Sequence, residues 1–272
     1  MRDALEPIAM AHVHADEARR EYEALGLERF AGYVLGRAGT LGTPPPPVVV
    51  AAFGAFAPGM LGEVHETARA TASVPDVLAA RERAATRALH RALGDPGPEV
   101  DETVAALRPG VEAAELLGKP LFAGLRALDW PDDPWARLWH AANLLRELRG
   151  DAHVDALVAA AIGPLASNLL TEAHVGLAGR DYTRTRGWSE AEIDAAVADL
   201  ADRGLLAADG AVTDRGRALR DDVEKATEAA LDDVVVAVDE ALDTVVERCT
   251  SWSAAIVAAG AFPDDAFKRA AG

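Results

Sequence analysis

The polar residues best suited to bind a ligand or transfer a proton lie close together in the middle of the chain: Arg146, Glu147, Arg149, Asp151 and His153. A planar guanidinium binds carboxylate and phosphate groups, and histidine exchanges a proton near neutral pH. We therefore predict that Arg146 or Arg149 holds an anionic group of a small ligand. His153 would then exchange a proton with that ligand.

Aromatic residues are expected to complete such a ligand site. Trp135 and Trp139 share one face of a predicted helix and would form an apolar wall. Arg37 and the aromatic residues of the N-terminal half would line the opposite side. The predicted pocket would therefore lie between the two halves of the chain.

The same cluster also has a purely structural interpretation. Gly150 is a residue type that ends helices, Asp151 suits a helix N-cap, and Arg149 suits a helix C-terminus. Arg146 or Arg149 would then pair with Glu147 or Asp151 and hold a turn between two helices. Charges in this apolar stretch must be paired or must line a cavity, and both interpretations meet that requirement.

Apolar residues recur at helical spacing from end to end, so the sequence predicts a mainly α protein. We expect a helical N-terminal domain over residues 1–118, and proline and glycine residues delimit helices in it near 58–71 and 75–93. Residues 119–272 would form a winged-helix domain with a long terminal helix.

The winged-helix prediction depends on a series of elements in the second half. One helix would begin after Pro134 and end at Gly150, and an apolar helix over 153–170 would follow it. Ser189 and Glu192 form a capping box at the start of a third helix.

The end of the second half predicts a wing and a long helix. Asp209 and Gly210 between short apolar runs predict a small β-hairpin, which would be the wing. An acidic helix from Thr213 to about Cys249, either continuous or with a break, would follow. This long helix is a candidate element for homodimer formation.

Charge weighs against nucleic acid as the main partner. Lys and Arg total 27 against 44 Asp and Glu, which gives a formal net charge of −17 and a pI near 4.8. The helix that would enter a DNA groove is itself acidic. Arg180, Arg184 and Arg186 precede that helix and could contact a DNA backbone, or they could pair with the acidic helices. DNA is therefore a disfavoured partner, and so is an anionic membrane.

Other standard chemistries lack their sequence motifs. The chain has no phosphate-binding glycine loop, no nucleophile elbow and no histidine pair at metal-ligand spacing, so we predict no metal site and identify no cofactor. A single cysteine, Cys249, is typical of a reducing compartment. No apolar run of about 20 residues is present, and the N-terminus lacks the pattern of a signal peptide. We therefore expect a cytoplasmic protein.

The second half resembles a family of actinobacterial proteins described as SalK-like or helix-turn-helix. The matching positions are Leu121–Ala123, Leu128, Trp130–Pro134, Leu138–Ala141, Leu145–Glu147, Arg149–Asp151, His153–Val154, Trp188, Arg203–Leu205, Asp209–Gly210, Thr213 and Gly216. In the family's Leu-Arg-Glu-His-Arg-Gly-Asp-Gly-His block, Leu148 replaces the first histidine and Ala152 replaces the second glycine. The resemblance implies a fold and an architecture rather than a reaction.

These residues together predict a small-molecule-binding protein, catalytic or not, with its pocket between a helical domain and a repurposed winged helix. A ligand-responsive winged-helix transcriptional regulator is the alternative. A structural protein that binds a partner through its long acidic helix is a third hypothesis. The sequence leaves the ligand and any reaction open.

Overall fold

The computed structural model describes residues 2–177 and 179–263, and it is mainly helical, as predicted. Single 3₁₀ turns lie at Gly39–Leu41 and Asp239–Ala241. The α-helices are, in chain order, α1 (Arg2–Ala9), α2 (Ala11–His14), α3 (Asp16–Glu23), α4 (Arg29–Ala38), α5 (Pro46–Phe53), α6 (Pro58–Thr71), α7 (Val74–Leu93), α8 (Pro98–Ala113), α9 (Pro120–Arg126), α10 (Pro134–Ala159), α11 (Pro164–Val175), α12 (Asp181–Arg184), α13 (Glu190–Asp202), α14 (Asp214–Ala229), α15 (Asp232–Val238) and α16 (Leu242–Ala258).

Proline residues determine where many of these helices begin. α5, α7, α8, α9 and α11 each have a proline in the first two positions. Proline has a backbone φ suited to the helix and lacks an N–H that the first turn would leave unbonded. The predicted helices near 58–71 and 75–93 are confirmed as α6 and α7.

The described residues divide into two compact units, each built from separate stretches of the chain. The first unit comprises residues 2–44, 64–151 and 231–263, and the second comprises 45–63, 152–177 and 179–230. The domain boundary between residues 118 and 119 stays a prediction, because it concerns a division of the sequence rather than these contact-defined units.

The prediction that Gly150 ends a helix is wrong. α10 continues through Gly150 to Ala159, so Asp151 lies inside the helix and not at an N-cap. A glycine inside a helix lowers the stability of that helix by about 1 kcal/mol relative to alanine. Residues of α10 on both sides of Gly150 are buried, and their packing offsets this cost. The chain breaks later, where Ala161 has a φ of 54° and Pro164 begins α11.

The predicted β-hairpin wing is also wrong, because the described residues contain no β-strand. One isolated antiparallel bridge joins Leu206 and Val212 around the turn that contains Gly210. The hydroxyl of Thr213 accepts a hydrogen bond from the N–H of Gly216 and caps α14. Residues on either side of the turn are therefore already used by helix ends, which leaves room for a single bridge.

The predicted long terminal helix is divided into α14, α15 and α16. The breaks on either side of α15 coincide with a change of packing partner, because α15 and α16 contact mainly different helices of the first unit. α15 packs on α8, where Val234 lies against Gly110, while α16 packs on α1.

α10 lies at the centre of the first unit. Its buried side chains, including Trp135, Leu138, Ala142 and Leu145, belong to one core with residues of α1, α7, α8, α15 and α16. The helix is buried over most of its circumference up to Asp151. Any polar side chain on this stretch must therefore find its partners inside the protein.

The second unit is organised around α11, α12 and α13. A core of Ile162, Leu169, Leu170, Ile193, Leu200, Leu205, Leu206 and Val212 joins α11 and α13 to the bridge region. The buried carboxylate of Glu172 accepts hydrogen bonds from the N–H of Tyr182 and the hydroxyl of Thr183, which fixes α12 to α11. The predicted capping box of Ser189 and Glu192 is present at the start of α13.

Candidate functional site

Seven of the eight predicted site residues lie in the first unit, and His153 lies in the second. Within the first unit, most of them belong to α10 and Arg37 belongs to α4. Their contacts decide whether they are free to hold a ligand.

Glu147 is the centre of the buried polar cluster. Its side chain is 3% exposed, and it accepts hydrogen bonds from Nε of Arg37 at 3.0 and 3.1 Å and from Nη2 at 2.8 Å. Nη1 of Arg146 lies 3.3 Å from the same carboxylate. Burial alone would raise the pKa of Glu147, but Arg37 and Arg146 together hold it below its ordinary value. Glu147 is therefore an ionised anchor for both arginines.

Arg146 has a second carboxylate partner. Its Nε donates to Oε1 of Glu6 at 3.2 Å. Of the alternative pairings predicted for this cluster, that of Arg146 with Glu147 is present, but it lies within α10 and holds no turn. The bond to Glu6 connects α10 to α1. These bonds neutralise Arg146, so its role as a ligand clamp stays a prediction.

Asp151 holds the start of α9. Its Oδ2 accepts a hydrogen bond from the N–H of Phe122 at 2.9 Å. Burial, opposed by this bond and reinforced by the charge of Glu147, raises the pKa of Asp151 to about 7. Arg149, two positions earlier in the chain, is 9% exposed.

The two predicted wall residues have different surroundings. Trp135 donates from its indole to the carbonyl of Gly94 at 2.9 Å and packs edge-on against Trp252, so it is a core residue. Trp139 lies in the polar cluster, because its indole N–H lies 3.2 Å from both the carbonyl of Ala9 and Nδ1 of His12.

His153 lies in the second unit, in a small surface groove lined by residues that include Leu157, Leu170, Leu219 and Val223. Its Nδ1 lies 3.1 Å from the hydroxyl of Thr227. Proton exchange by His153 stays a prediction.

Sequence reasoning missed Arg81, which lies in α7 and is 2% exposed. Its Nη2 donates to Oδ1 of Asn143 at 2.8 Å, and its guanidinium carbon lies 5.2 Å from the ring centroid of Trp139. Its Nε has no hydrogen-bond partner, and no carboxylate within the described residues lies at salt-bridge distance. Burial is the main reason that the pKa of Arg81 is lowered.

One sequence pattern could have pointed to Arg81. It stands in the apolar stripe of α7, between the buried residues Val77, Ala80, Ala84 and Ala88. An arginine at a core position must reach a polar partner inside the protein. The identity of that partner, Asn143, could not be read from the pattern.

The cluster carries more positive than negative charge. The guanidinium groups of Arg37 and Arg81 are buried and that of Arg146 is partly buried, and the carboxylates that Arg37 and Arg146 contact are those of Glu147 and Glu6. Arg149 adds a positive charge nearby, whereas Asp151, with its pKa raised to about 7, is only partly ionised at neutral pH. Among the described residues, Arg81 is the guanidinium of this cluster without a carboxylate at salt-bridge distance.

The arginines before α13 are occupied by acidic partners. Arg180 pairs with Asp194, and Arg184 pairs with Glu190 and Asp181. Arg186 stacks over the ring of Tyr182 at 4.4 Å. The predicted pairing of this loop with the acidic helix is thus present for two of the three arginines.

Comparison with known families assigns the architecture. A family model described as helix-turn-helix matches residues 1–263. The chain belongs to this helix-turn-helix family. No curated protein and no solved structure matches the chain significantly. The match confirms the helix-turn-helix part of the predicted resemblance, and the succession of α11, α12 and α13 in this helix-turn-helix protein agrees with it.

Three further findings on this helix-turn-helix protein concern metal ligands, membrane-spanning helices and the single cysteine. Within residues 2–177 and 179–263, no group of three His, Cys, Asp or Glu residues could hold a metal ion. In the same ranges no single helix is long and apolar enough to cross a membrane. α10 and α11 have the length and composition of a membrane span only when taken together, and the chain bends by 103° between them. Burial raises the pKa of Cys249 to about 12, which makes its thiol inert at neutral pH.

Glu147→Gln tests the central ion pair. We expect this change to lower the free energy of unfolding by about 3–5 kcal/mol, because it leaves buried guanidinium groups without their carboxylate. Glu112→Gln is the control, since Glu112 pairs with Arg108 on the surface and should cost about 1 kcal/mol at most. Chemical denaturation measures both values, and equal costs for the two variants would contradict the buried-anchor interpretation.

Asp151→Asn tests the raised pKa of Asp151. The folded-state pKa of about 7 lies above the ordinary 3.8, so the folded protein binds the extra proton and its contribution to stability is lost as pH rises from 4 to 7. The free energy of unfolding of the wild type minus that of the variant should fall over this range and level off above pH 7. A constant difference between pH 4 and pH 7 would show that Asp151 titrates normally.

Proposed function

We propose that this helix-turn-helix protein binds a small anionic molecule within its first unit, at the guanidinium group of Arg81. The observation that carries the proposal is the burial of this charge with its Nε unbonded in the described part of the chain. A buried guanidinium without a carboxylate or phosphate partner costs several kcal/mol. An anion beside Nε would supply that partner and balance the positive surplus of the cluster.

The surroundings of Arg81 favour a small ligand. Asn143 occupies Nη2, and Trp139 covers the guanidinium plane. Asn143 is itself fixed, because its Nδ2 donates to the carbonyl of Ala9 at 2.8 Å. The edge that carries Nε is thus the part of the group left for a ligand. A small carboxylate or an inorganic monoanion fits one guanidinium edge.

This proposal keeps the ligand class predicted from the sequence and changes the residue that holds it. The carboxylates of Glu147 and Glu6 already bind Arg146, whereas Arg81 has no such partner among the described residues. The proposal concerns binding, and no reaction is derived from it. The finer likeness to SalK-like actinobacterial proteins stays a prediction, as does a homodimer.

Arg81→Met tests the proposal, with Arg83→Met as a control on the same helix. Arg83 is half-exposed and pairs with Glu21. Sodium formate is exchanged for gluconate, which is too large for a buried site, at constant ionic strength while the melting temperature is followed. We expect a saturable rise for the wild type, since ligand at 100 times its Kd stabilises by about 2.7 kcal/mol. Arg83→Met should respond equally, and Arg81→Met should not respond.

The unliganded Arg81→Met protein should be as stable as the wild type or more stable, because a lone buried charge has been removed. Two results would overturn the proposal. One is a wild-type melting temperature that ignores formate, chloride and phosphate at constant ionic strength. The other is an equal saturable rise in Arg81→Met.

Ligand-responsive transcriptional regulation is the second candidate function, and family membership favours it. Binding to phosphates would require Arg180 and Arg184 to leave their partners on α13. We therefore expect weak binding of mixed-sequence duplex DNA that is lost between 50 and 200 mM salt, measured by fluorescence anisotropy. Arg180→Ala with Arg184→Ala should abolish it, and the absence of binding by the wild type at low salt would exclude this function.

A further inference from the structure

We infer that His140 is the second hydrogen-bond donor of the anion site, so that the protein takes up one proton with each small monoanion that it binds. This inference rests on the proposed site at Arg81. His140 lies in α10, is 3% exposed, and has no hydrogen-bond partner for its Nε2 in the described ranges. A buried polar atom of this kind calls for a ligand or a water molecule.

The helix places His140 beside the Arg81 contact. Asn143, which accepts the hydrogen bond from Arg81, follows His140 by three positions on α10. Side chains at this spacing are neighbours on a helix surface. The charge of Arg81 also reaches His140, since it contributes to lowering the pKa of the imidazole. The two unbonded nitrogens thus belong to one turn of α10 and the face of α7 that packs on it.

The groups around His140 keep it neutral without a ligand. Trp130 contacts it edge-on with ring centroids 4.9 Å apart, and Arg108 of α8 stacks over Trp130 at 4.7 Å. From α7 the neighbouring charge is that of Arg81. Burial, with a smaller contribution from Arg81, lowers the pKa of His140 to about 4. Arg108 is paired with Glu112, so the neighbouring charge that opposes protonation of His140 is that of Arg81.

A bound anion reverses this balance. Its negative charge lies against the imidazole and offsets the field of Arg81, so that His140 accepts a proton from solvent and donates Nε2–H to the anion. Binding of the proton and binding of the anion then strengthen each other by the same factor. Arg81 donates from Nε on the other side of the same ion. The class of ligand is a small monoanion with room for two donors, such as chloride, nitrate or formate.

Calorimetric titration with chloride tests this coupling, because chloride does not itself titrate between pH 5 and pH 8. Each titration is run in two buffers of different ionisation enthalpy, which reports the protons taken up. We expect the affinity of the wild type for chloride to rise as pH falls from 7 to 5, by up to tenfold per pH unit. Proton uptake should accompany binding over the same range.

His140→Gln is the variant, and His174→Gln is the control because His174 is exposed on α11 in the second unit. His140→Gln keeps Arg81 and an amide donor, so it should bind chloride with an affinity independent of pH and without proton uptake. His174→Gln should behave as the wild type. Should His140→Gln fail to fold, the proton uptake of the wild type alone decides, and an NMR titration of its histidine resonances with chloride identifies the residue.

The outcomes separate this inference from the proposed function. Chloride binding by the wild type at constant affinity and without proton uptake overturns the role of His140 and leaves the Arg81 site standing. A buried water molecule at His140 gives this same result. If the wild type binds neither chloride nor formate nor phosphate at any pH, the proposed function fails, and the inference fails with it.

Discussion

The burial of α10 is the constraint on which the first unit depends. Water cannot reach most of this helix up to Asp151, so its charged and polar groups must be satisfied by the protein. Each solution ties another helix to it. Glu147 bonds to Arg37 of α4, Arg146 bonds to Glu6 of α1, and Asp151 holds the first turn of α9. The polar contacts of one buried helix thus fix the positions of three others.

Because most of α10 up to Asp151 is buried, the buried nitrogens of Arg81 and His140 that lack a hydrogen-bond partner among the described residues stand out. Most polar groups on α10 have short, well-directed partners, so the unbonded nitrogen of His140 on this helix and that of Arg81, which bonds to Asn143 of α10 from α7, are exceptions. Buried polar groups without partners are rare in stable proteins, and sites of binding are where local rules are broken. An anion would satisfy both atoms and the surplus of positive charge together.

In the second unit, the acidic side chains of α13 restrict the binding of nucleic acid. α13 has the capping box and the apolar residues of a well-formed helix, but its acidic side chains bind the arginines that precede it. A phosphate backbone would have to compete with carboxylates already in place, at a net charge of −17. The family match covers residues 1–263 as a whole, and the charges around α13 bear on what this region can bind.

The sequence by itself determined the mainly helical fold, the starts of helices at proline and the capping box at Ser189. These features depend on residues close together in the chain. Tertiary structure decided that α10 continues through Gly150 and that Arg81 meets Asn143. Packing energy outweighs local helix-ending preference, and partners far apart in sequence leave no periodic pattern.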